Sequence, residues 1–246
     1  MRKILFSAAL VAFSLYHNVG FSQQKNVVHQ DLFWTGYSLS KKVNDDWSVN
    51  MKVEDRRYFK NLRPHQQYIA LEGAYRFNEK LTLTSGVLYF ETIFPGNPKA
   101  DIKERQPEFR PYQKFAFNTS VAPRTSFQYA FTAEERIRKS VNGSEFGDHY
   151  NAYTRLRNKF VIKRKLTREE ANIPVSAFLF DDFLIHFGKT VKGSWFDQNR
   201  VGLGLDYEVL SNLKISNSYF IWYQKVPGSE TYIQRNIFTI AVAHRL

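Results

Sequence analysis

The chain has 246 residues, the size of one large all-β domain, with a formal net charge of +12 and 16% aromatic residues. It contains no cysteine, which excludes disulfides and structural thiolate metal sites. Its basic residues are dispersed through strand-like segments, so the charge favours anionic lipid or a charged interior over nucleic acid as its explanation.

The first 22 residues predict a secretory signal peptide. Arg2 and Lys3 form a short positive segment, and the apolar stretch 4–16 that follows is shorter than the roughly 20 residues of a spanning helix. Small residues at positions 20 and 22 place a cleavage site before Gln23. We therefore expect an exported protein with a signal peptide over 1–22 and a single mature domain over 23–246.

The mature chain alternates between apolar and polar residues, which is typical of strands with one face of each kind. The clearest example begins at Trp47, where Trp47, Val49 and Met51 alternate with polar side chains. A helix would scatter these residues around its circumference. In chain order, the pattern predicts eleven candidate strands: 31–43, 47–57, 65–77, 81–94, 108–118, 125–139, 150–163, 173–186, 198–210, 213–224 and 232–246.

The connections between the predicted strands alternate in length. The short ones lie at 44–46, 78–80, 121–124 and 210–212, with one of medium length at 164–172. The longer ones lie at 61–64, 95–101, 140–148, 188–193 and 226–229. Outer-membrane barrels have short periplasmic turns and longer external loops, so this alternation assigns the two sides and puts the C-terminus in the periplasm.

The predicted fold class is an all-β, antiparallel transmembrane barrel of ten to twelve strands in the outer membrane. An odd count does not fit, because bacterial barrels of this kind have an even strand number. Either residues 23–30 add a short twelfth strand, or they run through the lumen, or one strand is assigned wrongly. We prefer twelve strands.

A soluble β-sandwich or a lipocalin-like barrel would also alternate. Against both, the apolar faces carry large aromatics, the polar faces carry long charged side chains, and the strands exceed the usual soluble length of about 5–6 residues. Alternation from Phe238 to Leu246 resembles the C-terminal signal that barrel insertion machinery recognises. The expected partners are that machinery, outer-membrane lipid and lipopolysaccharide, with no nucleic acid.

Several stretches of the mature chain carry a resemblance to a known family. They are Trp34 to Arg57 with its Glu54-Asp55-Arg56-Arg57 ending, Glu108 to Gln113, Glu134-Glu135-Arg136 followed by Tyr153 to Arg157, Phe196 to Gly204, and Gln234-Arg235-Asn236. In this order and spacing, the chain resembles domain-of-unknown-function family 2490, bacterial outer-membrane barrel proteins. The resemblance implies such a barrel and implies no reaction, substrate or ligand.

The sequence contains no catalytic, metal or cofactor motif that we can identify. The mature histidines lack metal-ligand spacing, and there is no G-x-S-x-G elbow or P-loop. We therefore predict no enzymatic activity, metal or cofactor. The alternatives are an outer-membrane enzyme acting on lipid or lipopolysaccharide, for which Ser144, Asp148 and His149 lie close in sequence, and an adhesion module that uses the external loops, although those loops are short.

The polar strand faces form a charged set if they line the lumen. This set contains Glu54, Arg56, Glu72, Arg76, Glu108, Arg110, Glu134, Arg136, Arg138, Arg155, Arg157, Arg200, Asp206, Glu208 and Arg235. Arg and Glu suit bidentate pairing, and buried charges must be paired. The set predicts a salt-bridge network that fills a narrow barrel or, because Arg is in surplus, a channel or binding site for an anion. The identity of any small-molecule ligand stays open.

Overall fold

The computed structural model describes residues 26–246 apart from 95, 97–98, 100, 102–103, 143–144, 169–170, 190, 192 and 227. The strands are β1 Val27–Lys42, β2 Trp47–Tyr58, β3 Pro64–Arg76, β4 Leu81–Phe94, β5 Glu104–Ala122, β6 Thr125–Asn142, β7 Glu145–Lys165, β8 Val175–Phe187, β9 Phe196–Leu210, β10 Leu213–Lys225 and β11 Tyr232–Arg245. None of these residues belongs to a helix that is long and apolar enough to cross a membrane. The signal peptide lies outside the described residues and stays a prediction.

The eleven strands form one closed barrel in which each strand pairs with its neighbours in sequence. All pairs of neighbouring strands are antiparallel. The first and last strands, β1 and β11, close the ring as a parallel pair through residue pairs such as Leu32–Ile237. The preference for twelve strands is therefore wrong. Residues 27–30 lengthen β1, and because β1 pairs directly with β11, no further strand stands between them.

The connections lie at two ends of the barrel. The short-turn end holds 43–46, 77–80, 123–124, 166–168, 171–174, 211–212 and the last residue. The long-loop end holds 59–63, 188–189, 193–195, 228–231, the end of β4, the start of β5, the paired ends of β6 and β7, and the start of β1. The prediction of a long loop at 140–148 is wrong, because β6 and β7 stay paired through Val141–Phe146 and Asn142–Glu145. Continued pairing satisfies backbone groups that a loop would expose to solvent.

Side chains alternate between an inward and an outward face, as the pleat of a strand requires. On the inner wall, one apolar cluster joins strands from both sides of the parallel closure. It consists of Leu32, Trp34, Tyr58, Phe220, Trp222 and Ile237, with Phe180 packed against it. The Trp34 ring makes T-shaped contacts with Phe220 at 5.2 Å and with Trp222 at 5.8 Å between ring centroids. Burial of these large rings therefore stabilises the region where the first and last strands meet.

Gly202 makes room for this cluster. It pairs with Phe220 across β9 and β10. A Cβ at this position would lie 2.3 Å from the Phe220 Cβ and 2.5 Å from the backbone oxygen of Tyr219. Because backbone atoms cannot move aside as a flexible side chain can, the close approach of Phe220 depends on glycine here.

Gly202→Ala is expected to lower the free energy of unfolding by about 1–3 kcal/mol, the usual cost of overpacking. The matched control is Gly73→Ala, because a Cβ at Gly73 meets nothing within 4 Å and should change stability by no more than about 0.5 kcal/mol. Urea unfolding of the purified barrel, followed by tryptophan fluorescence, measures both. Equal midpoints for the two variants would contradict this account of Gly202.

Candidate functional site

Glu108 on β5 is as deeply buried as any charge among the described residues, with a side chain that is 1% exposed. Arg110, two residues along the same strand, donates to both of its carboxylate oxygens, at 2.5 and 3.0 Å. Arg136 on β6 also binds both oxygens, with Nη2 at 2.8 Å from one of them. Residues two apart on one strand, and diagonal neighbours on paired strands, lie within reach of such long side chains. One carboxylate therefore holds two guanidiniums in bidentate contact.

Three further carboxylates hold two arginines of β7. The Arg155 guanidinium donates to Glu134 at 2.5 Å and to Asp197 at 3.3 Å. Arg157, on the same face, makes a bidentate contact with Asp182 through two bonds of 2.7 Å. These arginines link β6, β8 and β9 to β7 across the interior, so the charged network ties neighbouring strands together.

Lysines replace arginines towards the short-turn end. The Lys52 ammonium lies 2.7 Å from Glu72, which also accepts a hydrogen bond from the Tyr112 hydroxyl. Asp206 accepts from Lys163 at 2.6 Å and from the Ser216 hydroxyl at 2.5 Å. Because each of these carboxylates has at least two donors, the buried charges near the short-turn end are closely paired.

Most of the predicted charged set lies on the inward face, in the pairs described above or next to them. Arg76 and Glu208 do not join these pairs, because they stand near the short-turn ends of β3 and β9 and are exposed. Arg76 instead donates to the backbone oxygen of Asp45 at 2.5 Å. The set also lacks two buried acids that the network uses, Asp182 and Asp197.

Two β-bulges bring inward residues that alternation does not predict. Arg56 pairs with Gln66 and Arg57 with Pro64, which leaves His65 as an extra residue. In the same way, Leu184 pairs with Gln198 and Ile185 with Phe196, which leaves Asp197 unpaired. Both extra side chains are buried and line the interior. Bulges commonly re-aim a side chain in this manner, and here each supplies a polar group to the site.

Two cavities lie in the interior that the described residues form. The upper cavity, nearer the long-loop end, has a volume of about 290 Å³, and the lower cavity has about 130 Å³. Five side chains line both cavities and stand between them: Tyr68, Leu88, Arg110, Glu134 and Arg157. Since Glu134 is fixed by Arg155 and Arg157 by Asp182, the layer between the cavities is held by ion pairs.

Trp222 lines the upper cavity and Trp34 packs behind it, and together these two rings contact three arginines. The Arg56 guanidinium lies 3.8 Å from the centroid of the Trp34 ring. Arg235 and Arg200 lie 4.2 and 4.8 Å from the centroid of the Trp222 ring. Cations over an indole face are stabilised by the ring quadrupole. The tryptophans therefore hold the guanidiniums in place without neutralising their positive charge.

Of the residues considered for a hydrolytic site, the two that the structure describes do not share a face of their strand. Asp148 and His149 are exposed neighbours on β7, and successive residues of a strand point to opposite faces. Ser144 lies outside the described residues. No group of three His, Cys, Asp or Glu side chains suited to a metal ion occurs in the part of the chain that the structure describes.

Comparison with known proteins identifies the family. Neither the curated proteins nor the solved structures gave a significant match. The model of the family described as "Protein of unknown function (DUF2490)" matches residues 32–232, a range that includes β2 to β10 and most of β1. The resemblance inferred from the short motifs is thereby confirmed, and the chain belongs to the DUF2490 family.

Proposed function

We propose that this protein is an outer-membrane β-barrel, exported through its signal peptide, with a lumen closed by paired charges. The observation that carries the proposal is the outward face, where large apolar side chains are exposed along the strands. Exposed on this face are Tyr37, Val49, Val53, Ile69, Leu71, Val87, Tyr89, Phe109, Phe115, Phe117, Phe160, Ile162, Leu179, Val201, Leu203, Tyr219, Ile221, Phe238 and Ile240. A soluble monomer rarely exposes a continuous apolar surface of this kind, whereas lipid requires one.

The length of the strands and the position of their aromatics support the same proposal. The strands have 12 to 21 residues, and a tilted transmembrane strand needs about 9–11. Near the short-turn end, Trp47 packs on Tyr75, with ring centroids 5.0 Å apart. Near the long-loop end, Tyr223 stacks on Tyr232 at 4.9 Å. Aromatic side chains at both ends suit the two interfaces of a bilayer.

The layer between the two cavities supports a closed lumen rather than an open pore. A barrel of eleven strands is intermediate between small filled barrels and 16–18-stranded porins. Its cross-section at Arg110, Glu134 and Arg157 is occupied by long side chains that ion pairs hold in place. In this proposal the barrel is non-enzymatic and has a structural or binding role, with lipid and lipopolysaccharide around it.

We expect the full-length protein, folded into liposomes and fused to planar bilayers, to insert without a steady single-channel current. The ion-paired layer should block ions. Insertion is checked independently by co-flotation with the liposomes and by protease resistance. A large anion-selective current from the wild type would overturn the closed lumen, and failure to co-float would overturn the membrane barrel.

A further inference from the structure

The upper cavity carries positive charge that the protein does not neutralise. Eight arginines line it: Arg56, Arg110, Arg136, Arg138, Arg155, Arg157, Arg200 and Arg235. Among the described residues, five carboxylates lie within ion-pair distance of them: Glu54, Glu108, Glu134, Asp182 and Asp197. Eight cations against five anions leaves three positive charges in a confined interior, where an unpaired charge is costly.

The least neutralised of these arginines are Arg138, which is 33% exposed and approaches Glu108 only at 3.9 Å, and the more deeply buried Arg200 and Arg235. Arg200 and Arg235 stand directly opposite Trp222, one on each neighbouring strand, so the indole lies between the two guanidiniums. Arg235 donates to the side-chain amide oxygens of Gln30 and Gln224, each at 2.8 Å, and neither acceptor is charged. Arg200 approaches a carboxylate only at 3.9 Å, the distance to Asp182. These two guanidiniums therefore keep most of their capacity to bind an anion.

Buried polar atoms without a partner surround the same place. In the part of the chain that is described, they include Nε of Arg200, Nε1 of Trp222, Nδ1 of His65 and Oε1 of Gln198. All four residues line the upper cavity, and His65 and Trp222 are each only 3% exposed. Buried polar groups in proteins nearly always have a hydrogen-bond partner, so this concentration of unpaired atoms indicates a site that a polar ligand completes.

We infer that the upper cavity binds a small anion with phosphate or carboxylate groups, held by Arg200 and Arg235 at the edge of the Trp222 indole, where Nε1 can donate to it. Guanidinium forks match both kinds of group bidentately. The volume of about 290 Å³ lies near the lower bound of small-molecule sites, about 300 Å³. The lining reaches Gly96 after β4, so the cavity extends towards the long-loop end, from which we expect the ligand to enter. That this end faces outside the cell rests on the proposed function; the binding does not.

Binding is tested with the full-length barrel in detergent micelles, titrated with inorganic pyrophosphate and separately with citrate. Calorimetry and quenching of tryptophan fluorescence are the readouts. We expect saturable binding of at least one probe, and the preferred probe distinguishes phosphate from carboxylate groups. Arg200→Gln and Arg235→Gln should each weaken it about tenfold or more, since a hydrogen bond to a charged group contributes about 1.5–3 kcal/mol. Arg76→Gln, exposed at the short-turn end, is the matched control and should bind as the wild type does.

Arg235→Lys keeps the inference testable if the glutamine variants do not fold. Lysine retains the positive charge but lacks the forked guanidinium donors. We therefore expect this variant to unfold at the wild-type urea midpoint and to bind the probe more weakly. No binding of either probe at millimolar concentration, or wild-type affinity in the folded Arg200 and Arg235 variants, would overturn the inference. Liposome insertion is measured without any anion. A barrel that inserts but binds neither probe thus counts against this site alone, and one that binds but does not insert counts against the membrane proposal alone.

Discussion

Replacing Glu108 with glutamine is expected to lower the free energy of unfolding by about 3–5 kcal/mol, the usual cost of breaking a buried ion pair. Glu108 is 1% exposed and binds Arg110 and Arg136 through both of its oxygens. Glutamine has nearly the same shape, but it removes the charge and turns one acceptor into a donor that faces a guanidinium. Two buried arginines then share one neutral oxygen.

The measurement is the urea midpoint of the folded barrel, followed by tryptophan fluorescence. Glu79→Gln, the same chemical change at an exposed position in the turn after β3, is the control and should shift stability by at most about 0.5 kcal/mol. A second replacement, Arg136→Gln, should restore part of the loss in the Glu108→Gln background because it removes one unpaired cation. If Glu108→Gln unfolds at the wild-type midpoint, the ion pairs do not hold the interior together.

Leu203→Arg is expected to impair insertion into liposomes by about 2–4 kcal/mol, the cost of a cationic side chain near the midplane of a membrane barrel. Leu203 is 56% exposed on the outward face in the middle of β9. It pairs with Leu179 and Tyr219, whose side chains share that face. In a soluble barrel, the same substitution would replace an exposed apolar group with a hydrated one at little cost.

Leu203→Ala is the control, because it shortens the side chain without adding charge and should insert nearly as well as the wild type. The folded fraction is read from the mobility of unheated and heated samples on a gel after refolding into liposomes. Equal folded fractions for the arginine variant and the wild type would mean that this face of β9 does not contact lipid.

Much of the fold could be predicted from alternation alone. Eleven strands were identifiable, and the inward position of residues such as Arg56, Glu108 and Arg155 follows from their parity within a strand. The preference for twelve strands failed because it relied on the even number usual for the class. Parallel closure is a property of the assembled ring, and no local pattern in β1 or β11 signals it.

The sequence pattern did not predict every residue of the site, for two physical reasons. His65 and Asp197 lie at bulges, where one extra residue interrupts the period of two. Asp182 was missed because β8 is apolar on both faces: Phe180 and Leu184 point inward beside it, while Leu179 and Phe183 point outward. The apolar wall around Trp222 was also hidden, since an inward aromatic is indistinguishable by type from one that faces outward.

The parallel closure of β1 on β11 sets the order in which the barrel can assemble. Its contacts join residues about two hundred positions apart, such as Gln30 and Arg235 with a separation of 205, whereas all other strand pairs join neighbours in sequence. Local hairpins form before contacts that close long loops. β1 is synthesised first but has to wait for β11, so the growing sheet keeps two open edges until the last strand arrives. Unpaired edges are not tolerated in hydrocarbon, and for a barrel in lipid the final strand must therefore pair as the sheet enters the bilayer.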